Sequence, residues 1–347
     1  MAFSTGLIAV LLTLPAAALG AGPTALWQRC DDSAGDLSCS LPRGIGVSPV
    51  SGHLYVADNA RSRIDEYTAW GEFMRSWGWG VADGAEEAQV CTLASVCKAG
   101  IQGGHSGQLG GLQGIAVDTA GNLYVAEFAN HRVQKFDPEG HFLLMFGAKV
   151  NKTKVEEGKS AEEQNLCTAL SGNVCQAGVE GSGPSEFGQG VTGGFIATGS
   201  TSNNVVYVGD NGKVEVFNPD GTFKEFFPDP DGIIAAGGRV QSLVPATNNG
   251  LFLVFNEKSN VIKLTSAGKK SCSVNEANPA AELAKPRALA IAVNAEGKPT
   301  SSLYVYDETD NEVRQFNSAC GEKENFLGEK ESFANGDATA STGLAAS

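Results

Sequence analysis

Acidic residues recur along this sequence, and each is followed a few positions later by a basic residue. The pairs are Asp58 with Arg63, Glu127 with Arg132, Asp210 with Lys213, and Asp307 with Arg314. A ring of such carboxylates at the mouth of a channel can hold calcium, which takes roughly six to eight oxygen ligands. Because the basic residues would compete with a cation, ion pairing within the protein is the favoured interpretation and a calcium site is the alternative. No other cofactor is predicted.

Eight cysteines form the second set of reactive side chains. Proximity along the chain groups them as Cys30 with Cys39, Cys91 with Cys97, and Cys167 with Cys175, which leaves Cys272 with Cys320. An even count is typical of disulfides formed in an oxidising compartment. Zinc is the alternative, but the intervals contain no Cys-x-x-Cys and no nearby pair of histidines. The spacing therefore favours disulfides without fixing their connectivity.

Motifs for catalysis are scarce. The four histidines are His53, His105, His131 and His141, and none forms a His-x-x-x-His pair. A nucleophile elbow and a glycine-rich phosphate loop at a helix start are also missing from the sequence. An enzyme is therefore the less favoured interpretation.

One triplet, Asn151-Lys152-Thr153, fits an acceptor for N-linked glycosylation. It lies in an acidic stretch dotted with lysines, which is typical of a surface loop. The triplet also arises by chance, so Asn151 is a weak glycosylation candidate.

The first 22 residues are predicted to be a cleaved signal peptide. Leu7–Gly22 is apolar, is broken by Pro15, and has small residues after that proline. A retained membrane anchor is the alternative, because no Lys or Arg precedes the apolar run, but the run is shorter than the roughly 18 residues of a membrane span. No later segment is long and apolar enough to span a bilayer. A secreted, extracellular or cell-surface protein is expected.

The charge balance limits the partners. The 347 residues include 25 Lys and Arg against 39 Asp and Glu, for a formal net charge of −14. A negative protein repels a phosphate backbone and releases no counterions on binding, so nucleic-acid recognition is disfavoured.

The elements that must position these residues repeat along the chain. An aromatic and aliphatic core with a polar cap occurs five times, centred on Tyr55, Tyr124, Tyr207, Phe252 and Tyr304. The copy around Tyr124 contains four short runs in order, GIAVD, NLYVAE, RVQKFD and FLLMFG, separated by turns rich in Gly, Pro, Asn and Asp. Four strands per unit of roughly 40 to 50 residues predict a β-propeller, because one four-stranded blade cannot cover both its faces. A solenoid or a sandwich is the alternative.

The segment GIAVDTAGNLYVAEFANHRVQKFDPEGHFLLMFG closely resembles an NHL repeat. The resemblance extends from about Arg43 to Leu327 and implies an all-β, usually six-bladed propeller. The cysteine-bearing additions make the chain similar to large secreted bacterial NHL-repeat proteins, whose ligands the resemblance does not supply. Related propellers also include hydrolases and lyases with a metal on the axis, and some intracellular relatives bind RNA, which the net charge opposes.

The repeat count is one short of six. The residues from Thr342 to Ser347 correspond to the start of a first strand, so a propeller truncated in its sixth blade is expected over 43–347. The alternative is that Pro23–Cys39, which lies in a cysteine-containing lead-in over residues 23–42, closes the remainder of the ring.

Two long additions, Trp79–Leu112 and Ala148–Gly190, connect consecutive blades and resemble each other in sequence. In a propeller both would emerge on one face, where long loops often carry recognition. The leading hypothesis is a non-catalytic binding or scaffold module that presents disulfide-stapled loops to a protein or glycan partner. The alternative is a metal-dependent hydrolase or lyase with its active site at the propeller axis.

Overall fold

The structure is a computed structural model that describes residues 41–188, 195–198, 205–255, 258–279, 282–293, 299–309 and 312–322. The predicted signal peptide, the pair Cys30 and Cys39, and the predicted start of a sixth blade lie outside the described residues.

The described chain contains strands in five antiparallel sheets, and each sheet is one blade. Blade one holds β1 (Pro42–Val47), β2 (Leu54–Asp58), β3 (Arg63–Tyr67), β4 (Phe73–Trp79) and β5 (Ala88–Cys91). Blade two holds β6 (Leu112–Val117), β7 (Leu123–Glu127), β8 (Arg132–Phe136), β9 (Phe142–Phe146) and β10 (Leu166–Thr168). Blade three holds β11 (Phe195–Thr198), β12 (Val206–Gly209), β13 (Val214–Phe217) and β14 (Phe223–Phe226).

The last two blades follow the same order. Blade four holds β15 (Val240–Pro245), β16 (Leu251–Phe255), β17 (Val261–Leu264) and β18 (Lys270–Ser273). Blade five holds β19 (Pro286–Val293), β20 (Pro299–Asp307) and β21 (Glu312–Asn317). Short helices lie in the connections: α1 (Lys152–Glu156), α2 (Ala161–Gln164), α3 (Ile233–Gly237) and α4 (Val274–Ala277), with 3-10 turns at Ala169–Ser171 and Thr247–Asn249.

The blades are arranged as in a propeller. The first strand of each blade packs against the first strand of the next, in the order β1, β6, β11, β15 and β19. Glycine permits the close approach of β1 to β6, because a Cβ on Gly44 would lie only 2.8 Å from the Cα of Gly114. Among the described strands, no comparable packing joins β19 back to β1. The chain is therefore an all-β propeller with five blades described.

The core lies between neighbouring blades. Side chains alternate along each strand, so each sheet has two apolar faces that only an adjacent sheet can cover. Between blades one and two, Tyr55 and Trp77 pack against Val125 and Phe136 in one buried cluster. Burial of these faces is the main source of stability in such a ring.

Two lysines add polar ties between neighbouring blades, Lys135, which is buried, and Lys263, which is half-buried. Lys135 Nζ lies 4.8 Å from the centre of the Tyr124 ring and donates to the Pro219 carbonyl of blade three at 3.0 Å. In the same way, Lys263 Nζ lies 5.4 Å from the centre of the Phe252 ring and donates to the Ser318 carbonyl of blade five at 2.6 Å. Burial lowers the pKa of Lys135, although nearby acidic groups oppose the effect. In both cases a lysine on the third strand of one blade binds the turn that follows the third strand of the next blade.

The sequence indicated four strands per blade, but blades one and two have five. The fifth strands, β5 and β10, come from the two long additions and pair antiparallel with β4 and β9. Both strands are short, four and three residues, and neither shows the alternation of apolar and polar residues by which the other strands were predicted.

Candidate functional site: the insertion face

Two additions form the surface that we call the insertion face: the first insertion, Trp79–Leu112, and the second insertion, Ala148–Gly190, which the structure describes as far as residue 188. Each carries a short disulfide loop, Cys91–Cys97 in the first and Cys167–Cys175 in the second. A third disulfide, Cys272–Cys320, joins blade four to blade five. These are three of the four pairs suggested by proximity along the sequence.

The first insertion returns to its own blade through backbone hydrogen bonds. The amide of Lys98 donates to the Val81 carbonyl at 2.7 Å, and the amide of Ile101 donates to the Trp79 carbonyl at 2.8 Å. The segment that follows the disulfide loop is therefore fixed against the segment that precedes it.

The second insertion docks by the same pattern. The amide of Gln176 donates to the Val150 carbonyl at 2.8 Å, and the amide of Val179 donates to the Ala148 carbonyl at 3.0 Å. The sequence similarity of the two insertions thus reflects one shared way of folding back onto a blade.

A glycine in each insertion makes the docking close. A Cβ on Gly100 would lie 2.3 Å from the carbonyl oxygen of Ser62, and one on Gly178 would lie 2.4 Å from that of His131. Ser62 and His131 occupy equivalent turns and have positive φ values of 47° and 46°. Any larger residue at either glycine would push the insertion away from its blade.

Arg63 anchors the first insertion. Its guanidinium is buried, pairs with Asp65 at 2.9 Å, and donates to the carbonyls of Cys97 and Lys98. Burial raises the pKa of Asp65, although Arg63 and a hydrogen bond from Ser76 act in the opposite direction. Asp58, the acid that the sequence pattern pairs with Arg63, lies directly opposite Arg63 in the pairing of β2 with β3, and it also accepts hydrogen bonds from the amide and side chain of Arg61.

Arg132 anchors both insertions at once. Its side chain is fully buried and pairs with the equally buried Glu127 at 3.0 Å. It donates to the carbonyls of Gly104 and Gln108 in the first insertion and of Gln176 in the second. One guanidinium therefore links the two insertions to each other and to blade two.

Lys213 anchors the end of the second insertion on blade three. Its Nζ lies 2.7 Å from Glu215 and 4.0 Å from Asp210, and it donates to the Gly183 and Glu186 carbonyls. Glu215 in turn accepts from the Ser185 amide at 2.6 Å. Burial raises the pKa of Glu215 to about 7 and also raises that of Asp210.

The fifth-blade pair is arranged differently. Asp307 accepts from the backbone amides of Ala284 and Lys285, and Arg314 pairs with Glu322 at 2.8 Å. The structure thus brings together Glu127 with Arg132 and Asp210 with Lys213, whereas these hydrogen bonds give Asp307 and Arg314 other partners.

The four acids of the predicted pairs have partners within the fold. Asp58, Glu127, Asp210 and Asp307 each accept hydrogen bonds or pair with a cation. Among the residues that the structure describes, no group of three or more His, Cys, Asp or Glu side chains could hold a metal ion. The calcium site and the axial metal-dependent enzyme stay predictions.

Asn151 also serves the fold. It is 3% exposed, its Oδ1 accepts from the amide of Lys154 at the start of α1, and its Nδ2 donates to the Leu166 carbonyl at 2.9 Å. In the folded chain the amide nitrogen of the glycosylation triplet is therefore already in use.

The disulfide loops expose apolar side chains. Leu93 and Val96 are 60% and 53% exposed, and Leu170 and Val174 are 100% and 52% exposed, whereas the cysteines on either side are buried. Sequence reasoning missed these residues, although a Leu and a Val between the cysteines of both insertions was a signal that could have found them.

The geometry defines the class of protein, a β-propeller. The family model described as NHL repeat matches residues 109–136, which run from the end of the first insertion through β8. The chain is therefore a β-propeller that contains an NHL repeat. It has no significant match among the curated proteins. No helix in the described part of the chain is long and apolar enough to cross a membrane.

Several solved structures are similar to the chain. A nidogen/laminin complex matches at 14% identity and a TM-score of 0.49, covering 83% of this chain and 80% of that chain. A streptogramin B lyase matches at 14% identity and 0.44, covering 84% and 70%. Virginiamycin B lyase from Staphylococcus aureus matches at 13% identity and 0.44, covering 83% and 85%. At these values none of them assigns a partner or a reaction to this chain.

Proposed function

We propose that this protein is a non-catalytic binding module that binds a protein partner through its insertion face. The observation that carries the proposal is the exposure of Leu93, Val96, Leu170 and Val174 on two loops that are closed by disulfides. Aliphatic side chains suit a protein surface better than a glycan, for which aromatic and polar side chains are the usual contacts. A protein is therefore the favoured partner of the two classes that the sequence left open.

The loops are suited to binding because they are held rigid. Short disulfide loops and buried anchors limit the conformations of the free protein, so less entropy is lost on association. Leu170, with its whole side chain exposed, gains the most from burial in a partner pocket, at about 25 cal/mol per Å² of apolar surface.

The charge around the loops restricts the partner further. Asp83, Glu86 and Glu87 lie in the first insertion, and all three are exposed. The second insertion adds exposed acids on and after α1, interspersed with the exposed Lys152 and Lys159. A partner surface with apolar residues surrounded by Lys and Arg complements this face.

An extracellular location is part of the proposal. Three disulfides stabilise the described chain, and such bonds persist in oxidising compartments. Together with the predicted signal peptide over residues 1–22, they support export to the outside of the cell.

We also propose that the ring has six blades. Leu54, Val56 and Tyr67 lie on the face of blade one that does not pack against blade two, and they are buried. Tyr304 and Tyr306 on blade five are buried too, as expected if a further unit covers both faces. An experimental structure of the whole chain with β19 packed directly on β1 would refute this part of the proposal.

The binding proposal is tested with a displayed library of random peptides selected on the full-length protein. Leu93→Asp/Leu170→Asp should weaken binding of the enriched peptides by about tenfold or more. The control is Val50→Asp, because Val50 is 67% exposed but lies in the turn between β1 and β2. Peptides that bind the loop variant as well as the unaltered protein, or a selection that enriches none, would overturn the proposal.

A further inference from the structure

One register position is equivalent in blades one to four. It is the residue of the fourth strand that lies opposite Asp65, Gln134, Glu215 or Ile262 of the third strand, namely Ser76, Met145, Phe226 and Ser273 in turn. We call these four residues the outer position. Since the strand pairing is the same, differences in their exposure reflect what covers the outer edge of each blade.

The outer position is covered in three of these blades. Ser76 and Met145 are each 0% exposed, and Ser273 is 1% exposed. In blade one Cys91 of β5 lies directly across from Ser76, and in blade two Cys167 of β10 lies across from Met145. In blade four, α4 begins immediately after Ser273.

Blade three is the exception. Phe226 is the largest of the four side chains, yet it is 41% exposed. Within the described residues β14 is the last strand of its sheet. The chain that follows leads to α3, whose final residue, Gly237, packs against Phe255 of blade four. Among the residues that the structure describes, no fifth strand of the insertion type covers this edge.

A second copy of the chain is a poor occupant of this edge. The edge carries the sequence Phe-Lys-Glu-Phe from residue 223 to 226. Two antiparallel copies related by a two-fold axis at the middle of the strand would place Lys224 opposite Lys224, or Glu225 opposite Glu225. Like charges directly opposite each other destabilise strand pairing. Charged edge residues are a common protection against self-association.

A strand from another protein can form hydrogen bonds with the backbone groups at the edge of β14. The chain shows the geometry itself, because β5 and β10 are short antiparallel strands added to the same edge of blades one and two. Phe227 follows the outer position in blade three, as Trp77 does in blade one and Phe146 does in blade two. Because Val90 lies opposite Trp77 and Leu166 lies opposite Phe146, an apolar residue suits the position opposite Phe227.

We propose that the outer edge of β14 is a strand-addition site for an extended segment of another protein. The segment places apolar residues opposite Phe227 and Phe226, a basic residue opposite Glu225, and an acidic residue opposite Lys224. Backbone hydrogen bonds provide the pairing and the side chains provide the selectivity. This inference extends the proposed binding function to a surface separate from the disulfide loops.

The probe is a labelled peptide with the core Val-Leu-Arg-Glu-Val, which runs antiparallel to β14. Its control has the same composition but exchanged charges, Val-Leu-Glu-Arg-Val. Fluorescence anisotropy with the full chain should give saturable binding of the probe, and the dissociation constant of the control peptide should be at least about tenfold higher. Hydrogen exchange at the amides of Lys224 and Phe226 should slow when the probe binds.

Two variants assign the site. Phe226→Ser should weaken probe binding about tenfold, whereas Leu93→Asp/Leu170→Asp should leave it unchanged, so this proposal and the insertion-face proposal can fail separately. Folding of Phe226→Ser is checked by its circular dichroism and thermal midpoint. The proposal would be overturned if the probe showed no saturable binding, if the two peptides bound equally, or if Phe226→Ser had no effect on probe binding. It would also be overturned if the protein formed a dimer that Phe226→Ser abolishes.

Discussion

Blades two and three hold the insertions by the same construction but with different side chains. In blade two Arg132 is the cation, and the residue two positions later is the neutral Gln134, which accepts from the Gly107 amide at 2.9 Å. In blade three Lys213 is the cation, and the residue two positions later is Glu215, which accepts from the Ser185 amide at 2.6 Å. Both arrangements fix an insertion to the propeller, but of these two anchors only that of blade three has an acid at this second position.

The difference shows how one fold can vary the strength and pH dependence of loop attachment. An arginine offers a fixed fork of donors and keeps its charge, whereas a lysine is a single mobile donor group. A buried amide has no charge to desolvate, whereas a buried carboxylate does. Blade two is therefore expected to be the stronger anchor, and blade three the pH-dependent one.

The largest expected effect comes from Arg132→Met. It leaves Glu127 buried without its cation and removes the link between the two insertions, so the free energy of unfolding should fall by about 3–5 kcal/mol. Lys213→Met should cost about half of that, since Lys213 is 13% exposed and makes fewer ties. Urea unfolding followed by the fluorescence of the buried Trp77 measures both. A greater loss for Lys213→Met would contradict the comparison.

Next is Glu215→Gln, which gives blade three the amide of blade two. Its pKa of about 7 in the folded chain lies above the ordinary 4.5, so the folded state binds more protons between these values. The contribution of Glu215 to stability therefore falls as pH rises from about 4.5 to 7, by roughly 2 kcal/mol. In Glu215→Gln this part of the decline should disappear.

Asp65 and Asp210 also have raised pKa values, so some decline with pH should persist in Glu215→Gln. The quantity that isolates Glu215 is the difference between the unaltered protein and the variant at each pH. The reciprocal change, Gln134→Glu, should introduce a decline of the same sign in blade two. Identical pH profiles for Glu215→Gln and the unaltered protein would show that Glu215 keeps its ordinary pKa.

A third pair of variants compares the disulfide loops. Cys91→Ser/Cys97→Ser and Cys167→Ser/Cys175→Ser each open a small loop and should each lower the free energy of unfolding by about 2 kcal/mol. The second insertion keeps α1 and α2, so its local structure should resist proteolysis better than that of the first. Limited proteolysis with mass mapping of the first cleavage sites checks this order.

The comparison also shows what sequence reasoning could reach. The five repeats and the strand order follow from alternating apolar residues and turn chemistry, and three of the suggested cysteine pairs are bonded. The partners of Arg63 and Arg132 in the insertions were out of reach, because they are backbone carbonyls, which every residue type carries alike. The exposure of Phe226 was also hidden, since it depends on a fifth strand that blades one and two have and that the described part of blade three does not.

The smallest expected effect concerns how the second insertion is built, where it differs from the first. Asn151 caps α1 and ties it to Leu166, so Asn151→Ala should cost about 1–2 kcal/mol. Asn151→Asp keeps an oxygen that can accept from the Lys154 amide, but it buries a carboxylate and replaces the donor to Leu166 with an acceptor that the Leu166 carbonyl repels, so it should cost at least as much. Ser160→Ala, which removes the exposed cap of α2, should cost about 1 kcal/mol or less. If Asn151→Ala costs no more than Ser160→Ala, the buried amide is not a tie that holds the second insertion together.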